Sequence, residues 1–536
     1  MPAMPRQHTL AAILLLGPLA TALPAQTPAP AAPPHAEPRS KPAAPAFTGR
    51  AELARVYLAL ERLVAEHGDA LDAPTLERVN RTMDLATDHY FAADNAGTIL
   101  RVVEALGAAD PRLAGLAPRL SLRPEATVVR TTQREFKARL GLACPLPEGA
   151  PAKLDLRILA VVPEGDTEVT TVIGEVRGWD PAATPTLDLT LQQPMFRERT
   201  RTLRVVMGLT EPGQNEHDAP DAFDMGYLSA TLLPMEAIRE VTLKRLDMIP
   251  PELARRFPRA MAACRARAAT LTDAPGPEST LNLVSSPAPR AKEVEREVAD
   301  LESGADPYAA AVGDFWLTLG DGGGGLPARL YVPERPEGVD PKTPRPLVIA
   351  LHGAGGDENL WISGYGGGNL RAALARHDAI GVSPLVGMLG FGPATFDAIV
   401  ESVAAWHTID RSRIYVIGHS MGGGAAVAWA RLRPGAIAGV CSVAGIGALA
   451  GAPRLPPTLD IAGALDTLCT PARLRADAER AAAQGLPVEY REVPHYGHVL
   501  VLGKTTPEAI DWLMTKRLPT PPPPAPTSPA VPAKSP

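Results

Sequence analysis

A chain of 536 residues is too long for one ordinary hydrophobic core, so two to four domains are expected. An apolar content of 45% excludes a largely disordered protein. A formal net charge of −6 with no long basic block argues against nucleic acid as the main partner.

The first residues carry Arg6, an apolar run from Leu10 to Leu23 and small residues ending at Ala25. This is the layout of a secretory signal peptide over 1–25, and the run is short for a membrane span; an uncleaved anchor is the alternative. Export to the periplasm or the exterior is therefore expected, with no stable membrane span after cleavage. Residues 26–47 are rich in Pro and Ala and read as a linker. The four cysteines, Cys144, Cys264, Cys441 and Cys469, are too few for a disulfide scaffold. They allow one or two bridges that the sequence cannot pair, and none stands at metal-ligand spacing.

Residues 48–118 read as a small helical unit. Leu53, Val56, Tyr57, Leu60 and Leu63 recur at three- and four-residue steps along one face. Two further helices follow, each opened by an aspartate that can cap it. Over 119–233 the period changes to alternation in "KLDLRILAVV", "TEVTTVIGEVRG", "TLDLTLQQ" and "RTLRVVMGLT", which predicts an antiparallel β-rich module. Its acidic loop, with Asp218, Asp221 and Asp224, lacks the alternate oxygen ligands and distal glutamate of a calcium loop. Residues 234–311 are expected to be a helical connector. The N-terminal modules are candidates for binding substrate or a partner, and the sequence does not choose.

From 312 to 518 strands alternate with helices, which predicts a doubly wound, mostly parallel α/β sheet. "DFWLTL" and "PARLYVP" flank a glycine run that fits a hairpin, because no lysine follows as a nucleotide loop requires. "PLVIALHG" is a continuous apolar strand, of the kind buried on both faces. Residues 519–536 form a Pro-rich tail expected to be disordered.

Within this region "RIYVIGHSMGGGAAVAW" runs from an apolar strand through Gly418, Ser420 and Gly422 into a small-residue helix. A G-x-S-x-G sequence at such a junction holds a serine oxygen clear of its own backbone in a strained turn. The turn also sets the unpaired N–H groups of a helix start beneath a reacting carbonyl. A serine hydroxyl needs a base, and the base needs an orienting acid. Asp466 follows the strand "TLDIAGAL" and is the favoured acid. Asp460 is expected at the start of that strand, at the wrong sheet edge, and Asp477 within a helix. "VEYREVPHYGHVLVL" supplies His495 and His498 past the last strand, with His498 favoured as the base. The His495/His498 pair could also suggest metal, but no third ligand is evident nearby in the sequence. The loop "LHGAGGDE" supplies a glycine-rich turn whose backbone N–H at Ala354, or alternatively Gly355, joins that of Met421 as the oxyanion hole.

Taken together, "PLVIALHGAGGDE", "IDRSRIYVIGHSMGGGAAVAWARLRPGAIAGVCSVAG", "IAGALDTLCTP" and "GHVLVL" resemble the α/β-hydrolase superfamily. The branch they resemble is that of secreted esterases related to polyhydroxybutyrate depolymerases, feruloyl esterases and phospholipase/carboxylesterases. The resemblance covers 312–518 and implies a serine esterase with Ser420, Asp466 and His498 as triad and no metal or organic cofactor. The implied substrate is an ester, small or polymeric. A serine peptidase on the same fold, or a non-catalytic surface or binding protein with a retained hydrolase domain, are the competing readings.

Overall fold

A computed structural model describes residues 44–519, except 127, 165–166, 194–202, 211–222, 226, 274–279, 285–286, 321–324 and 388–391. The signal-like segment, most of the linker, Asp218, Asp221 and the Pro-rich tail after residue 519 lie outside the described residues. The described residues belong to one compact unit. Among them, no helix is long and apolar enough to cross a membrane.

Three helices come first: α1 (Arg50–His67), α2 (Ala73–Phe91) and α3 (Asn95–Ala109). Both aspartates expected as caps do cap. Asp72 Oδ1 accepts from the Thr75 N–H at 2.8 Å and Asp94 Oδ1 from the Gly97 N–H at 2.9 Å. Each bond satisfies a donor that a first helical turn leaves unpaired. Val56 and Leu60 of the α1 stripe are buried against Ile99, Val102 and Leu106 of α3.

The alternating stretch forms β1 (Leu120–Pro124), β2 (Val128–Arg130), β3 (Glu135–Leu142), β4 (Leu154–Glu164), β5 (Thr167–Trp179), β6 (Thr186–Gln192), β7 (Leu203–Thr210) and β8 (Tyr227–Thr231). They divide into a three-stranded sheet, β1-β3-β6, and a five-stranded sheet, β2-β8-β7-β4-β5. Every pair is antiparallel, as expected, except β2–β8. Those two strands are separated by the rest of the module rather than by a tight turn, so nothing forces them to run in opposition.

The connector is helical: α4 (Met235–Asp247), α5 (Pro251–Arg256), α6 (Pro258–Ala269) and α7 (Pro287–Glu302). Arg267 of α6 is buried among Glu297 at 3.1 Å, Glu293 at 2.7 Å and the Trp316 carbonyl at 2.8 Å.

The remaining elements are β9 (Gly313–Leu319), β10 (Leu326–Val332), β11 (Arg345–Leu351), α8 (Leu370–Arg376), β12 (Ile380–Pro384), α9 (Pro393–Ala404), β13 (Ile409–His419), α10 (Met421–Leu432), β14 (Gly439–Val443), β15 (Thr458–Gly463), α11 (Pro471–Ala483), β16 (Val488–Val493) and α12 (Val501–Met514). The strands form one eight-stranded sheet, β16-β15-β14-β13-β11-β12-β10-β9. β9 and β10 pair antiparallel across the glycine run, as the hairpin reading requires, and β10 is also antiparallel to β12. From β12 to β16 every pair is parallel.

All seven residues of β11 are buried. Val348 and Ala350 face a core shared with α1–α3, α8 and α12, whereas Leu347, Ile349 and Leu351 face a core shared with α6, α7, α9 and α10. That double coverage explains the unbroken apolar run, since a strand with helices on both faces has no wet side. It also means that one core is continuous from the N-terminal helices into the sheet.

Asp460 is the third of six residues in β15, not its first, and it is buried beside Ser442. The strand begins at Thr458 because the preceding prolines cannot join a ladder. Asp477 lies in α11, as expected, and accepts from the Leu449 N–H.

Candidate active site

In a parallel sheet of this type, functional loops gather at the carboxyl ends of the strands. Four loops do so here: 352–358 after β11, the β13–α10 junction, 464–470 after β15, and 494–500 after β16.

Ser420 stands alone between β13 and α10, with φ 52° and ψ −113°. Only a few per cent of non-glycine residues adopt positive φ, and the local fold must hold this one in place. The hold is visible. The Ser420 N–H donates to the Val443 carbonyl at 2.9 Å, and the Ser420 carbonyl accepts from the Gly424 and Ile446 N–H groups, both at 3.1 Å. Gly418 and Gly422 are needed for contact rather than for their own dihedrals. A Cβ on Gly418 would lie 2.7 Å from the Gly423 nitrogen, and one on Gly422 would lie 2.6 Å from the His352 carbonyl oxygen and closer still to that of Leu351. The helix thus begins directly against the end of β11.

The loop carrying Ala354 lies beside the serine. A Cβ on Gly353 would be 3.5 Å from Ser420 Cβ and 2.8 Å from His419 Nδ1. Ala354 and Gly355 are both exposed. The loop is fixed from within by the Gly356 N–H donating to the Gly353 carbonyl at 3.1 Å and by His352. His352 Nδ1 donates to the Gly353 carbonyl at 2.8 Å, while Nε2 accepts from the Val386 N–H at 3.3 Å. Burial lowers the pKa of His352, which keeps this ring neutral and its tautomer fixed.

Asp466 and His498 meet. Asp466 Oδ2 is 2.8 Å from His498 Nδ1, and both residues are buried. A carboxylate only accepts, so Nδ1 carries the proton and Nε2 is left with its lone pair. The other carboxylate oxygen accepts from the Leu468 N–H at 2.9 Å and the Cys469 N–H at 2.7 Å. The loops that carry Asp466 and His498 are also tied through backbone, the Leu465 N–H donating to the Tyr496 carbonyl at 2.9 Å. A Cβ on Gly463 would lie 2.6 Å from that carbonyl oxygen, which is why glycine ends the strand. Asp466 therefore sits in the loop beyond β15, three residues past the strand end.

The His498 loop reaches back across β15 and β14 toward the serine. The rings of His419 and His498 are 4.9 Å apart between centroids, and His419 Nε2 donates to the His498 carbonyl at 3.1 Å. His419 Nδ1 then accepts from the Tyr365 hydroxyl at 3.1 Å. Burial, with His498 as a lesser cause, holds the His419 pKa well below the usual histidine range. The residue before the serine is thus a neutral strut for the His498 loop. His495 does not approach Asp466: its Nδ1 lies 3.0 Å from Glu77 Oε1 in α2, and its side chain is 41% exposed.

Asp466, Cys469 and His498 place ligand-type atoms within 4.8 Å of one another. This third group is the one the spacing of the histidines did not suggest. Its chemistry suits a hydrogen-bonded pair better than a metal, because burial pushes the Cys469 thiol up to about 11 and Asp466 already accepts three hydrogen bonds. All four cysteines are buried free thiols, so none of the possible bridges forms.

Several residues at the site had no signal in the sequence. Asn80 Oδ1 accepts from the Gly497 N–H at 2.8 Å, and Asp84 Oδ1 from the His498 N–H at 2.9 Å. The Tyr90 hydroxyl donates to the Gly355 carbonyl at 3.0 Å. From α1, Arg50 pairs with Asp357 at 2.6 Å, and Glu61 accepts from the Gly366 N–H at 2.9 Å. The N-terminal helices therefore grip both the loop after β11 and the loop after β16.

No family model matches the chain, and no curated protein is similar to it at a significant level. Among solved structures it is similar to an S-formylglutathione hydrolase from Staphylococcus aureus, with 14% identity, a TM-score of 0.30, and coverage of 35% of this chain and 92% of that one. It is also similar to a thermostable esterase, with 15% identity, a TM-score of 0.34, and coverage of 74% of this chain and 99% of that one. An S-formylglutathione hydrolase from Agrobacterium tumefaciens gives 17% identity, a TM-score of 0.31, and coverage of 39% of this chain and 98% of that one.

Proposed function

We propose that the protein is a serine hydrolase that cleaves carboxylic esters. The observations that carry the reading are the buried Asp466–His498 pair, the contact of His498 with His419, and the positive φ of Ser420, the residue next to His419, at a strand–helix turn. In this reading His498 Nε2 takes the Ser420 proton as the oxygen attacks the ester carbonyl, and Asp466 stabilises the imidazolium that forms. The backbone N–H groups of Met421 and Ala354 receive the oxyanion. The proton on His498 passes to the leaving alcohol, giving an acyl-enzyme. Water, deprotonated by the same nitrogen, then releases the acid. We place this activity outside the cytoplasm on the signal-like layout of residues 1–25.

A fluorophosphonate probe that phosphonylates Ser420, together with hydrolysis of p-nitrophenyl esters of graded chain length, tests the assignment. Ser420→Ala should abolish both labelling and turnover. Ester turnover that survives this substitution refutes the mechanism, and preferential cleavage of peptide anilides would move the protein to the peptidases.

A further inference from the structure

Helix α2 lies some 400 positions before the base loop, yet four of its side chains reach loops at the active-site edge of the sheet. Glu77, Asn80 and Asp84 fall at i, i+3 and i+7, one face of a helix. That face meets His495, Gly497 and His498 in turn. Asn80 is fully buried and Asp84 nearly so. The backbone N–H groups they receive are buried too, and without these acceptors each would be left unsatisfied or its loop would have to move. Gly497 has no room for a side chain, since a Cβ there would lie 2.6 Å from Asp84 Oδ2. Six residues further along, Tyr90 reaches the carbonyl of Gly355, and a Cβ on Gly355 would lie within 2.8 Å of the Tyr90 ring. Gly355 has φ +75°. Six residues of helix span roughly 9 Å, so one rigid rod fixes the distance between the base and the oxyanion loop.

We propose that α2 is a working part of the active site, with Asn80 and Asp84 as positioning residues for His498 and Tyr90 as a positioning residue for the loop bearing Ala354. The proposal rests on the serine-hydrolase reading above. The bonds from Asp84 and Asn80 end on the base itself and on its neighbour, so slack in α2 becomes displacement of the imidazole. A misplacement of about 1 Å at a reacting group costs on the order of a hundredfold in rate. Asp84 also faces Asp466 and His498 from across the helix–loop contact, with Asp88 on its own helix. Burial, its largest influence, raises its carboxyl to about 7. Its Oδ2 is buried without a hydrogen-bond partner. An asparagine would make the same bond to the His498 N–H without that burial penalty, which makes Asp84→Asn the conservative control.

The test uses the full chain carrying Asn80→Ala, Asp84→Ala, Asp84→Asn or Tyr90→Phe, with Leu85→Ser on the exposed side of α2 as a reference. Ser420 is titrated with a fluorophosphonate, and kcat per titrated serine and KM are measured with p-nitrophenyl acetate well below each melting temperature. Asn80→Ala and Asp84→Ala should lower kcat at least about tenfold with KM within about twofold, the pattern of a lost transition-state arrangement. Asp84→Asn should stay within about threefold of the unaltered protein, Tyr90→Phe should lose a few-fold, and Leu85→Ser should change nothing. Unchanged kcat per titrated serine in both alanine variants overturns the proposal, as does an Asp84→Asn variant as slow as Asp84→Ala. Should the alanine variants not fold, Tyr90→Phe at full rate overturns it. An unaltered protein that fails to label at Ser420 is a separate result, which removes the hydrolase reading and the proposal with it.

Discussion

On the serine-hydrolase reading, replacing Asp466 by asparagine changes one heavy atom and should nearly abolish ester turnover. One carboxylate oxygen accepts the Leu468 and Cys469 N–H groups at 2.9 and 2.7 Å, and the other accepts the His498 Nδ1 proton at 2.8 Å. An asparagine has one acceptor oxygen and one donor nitrogen. The oxygen must stay with the two backbone donors, because an amide nitrogen there would set donor against donors. The NH2 group then faces His498 Nδ1, which must become an acceptor. The ring proton moves to Nε2, the atom that has to receive the serine proton. Loss of the correct tautomer in a serine triad lowers kcat by about 10⁴, or about 5 kcal/mol in the barrier. Because volume and backbone bonds are kept, the melting temperature should hardly move. Steady-state kcat with p-nitrophenyl acetate, normalised to folded protein, measures the effect. A variant within tenfold of the unaltered protein would refute the assignment of Asp466 as the orienting acid.

Two further outcomes follow from packing and burial. Gly422→Ala puts a methyl group 2.6 Å from the His352 carbonyl oxygen, with the backbone of β11 unable to yield; a loss of about 1–3 kcal/mol and, on the serine-hydrolase reading, slower ester turnover are expected, and an unchanged thermal melt and kcat would contradict the contact. Asp460 has its carboxyl pushed up to about 7 by burial, against an ordinary value near 3.8. Between those values the folded protein holds a proton that the unfolded chain has released, so this group's contribution to stability falls as pH rises toward 7, by up to about 4 kcal/mol. Asp460→Asn removes that linkage. Melting temperatures of the two proteins at pH 5 and pH 8 should show the variant gaining on the unaltered protein at the higher pH, and equal slopes would refute the burial argument.

What the sequence disclosed and what it hid divide along the range of the interactions. The elbow was legible because its requirements are local: Gly418 and Gly422 permit contacts within a few residues or with the adjoining strand. The sheet's alternation was legible because β11, β12, β14 and β15 are fully buried strands and helices stand between most neighbours in the chain. Asp466 and His498 could be placed after their strands from chain order alone, and His498, not His495, is the histidine hydrogen-bonded to Asp466. Asp460 was misplaced within β15 because a strand boundary depends on the proline pair before it and on the partner strands. Asp84, Asn80 and Tyr90 were invisible for a plainer reason. Their neighbours in the chain form an ordinary capped helix, and nothing in that helix says which remote backbone it will meet. The parallel β2–β8 pair, likewise, is a decision of tertiary packing rather than of alternation.

The bond from the His498 N–H to Asp84 joins residues 414 positions apart. On a ribosome, the helix that receives this bond is made 414 residues before its partner. Contacts of such separation form late and slowly, since the loop between them must close before they repay its entropy. A nascent chain would thus carry Ser420 for some eighty residues of synthesis before His498 is made, and the Val443 and Ile446 groups that hold the serine turn come in between. On the serine-hydrolase reading, removing a few residues from α2 or from the His498 loop should have the same effect on turnover.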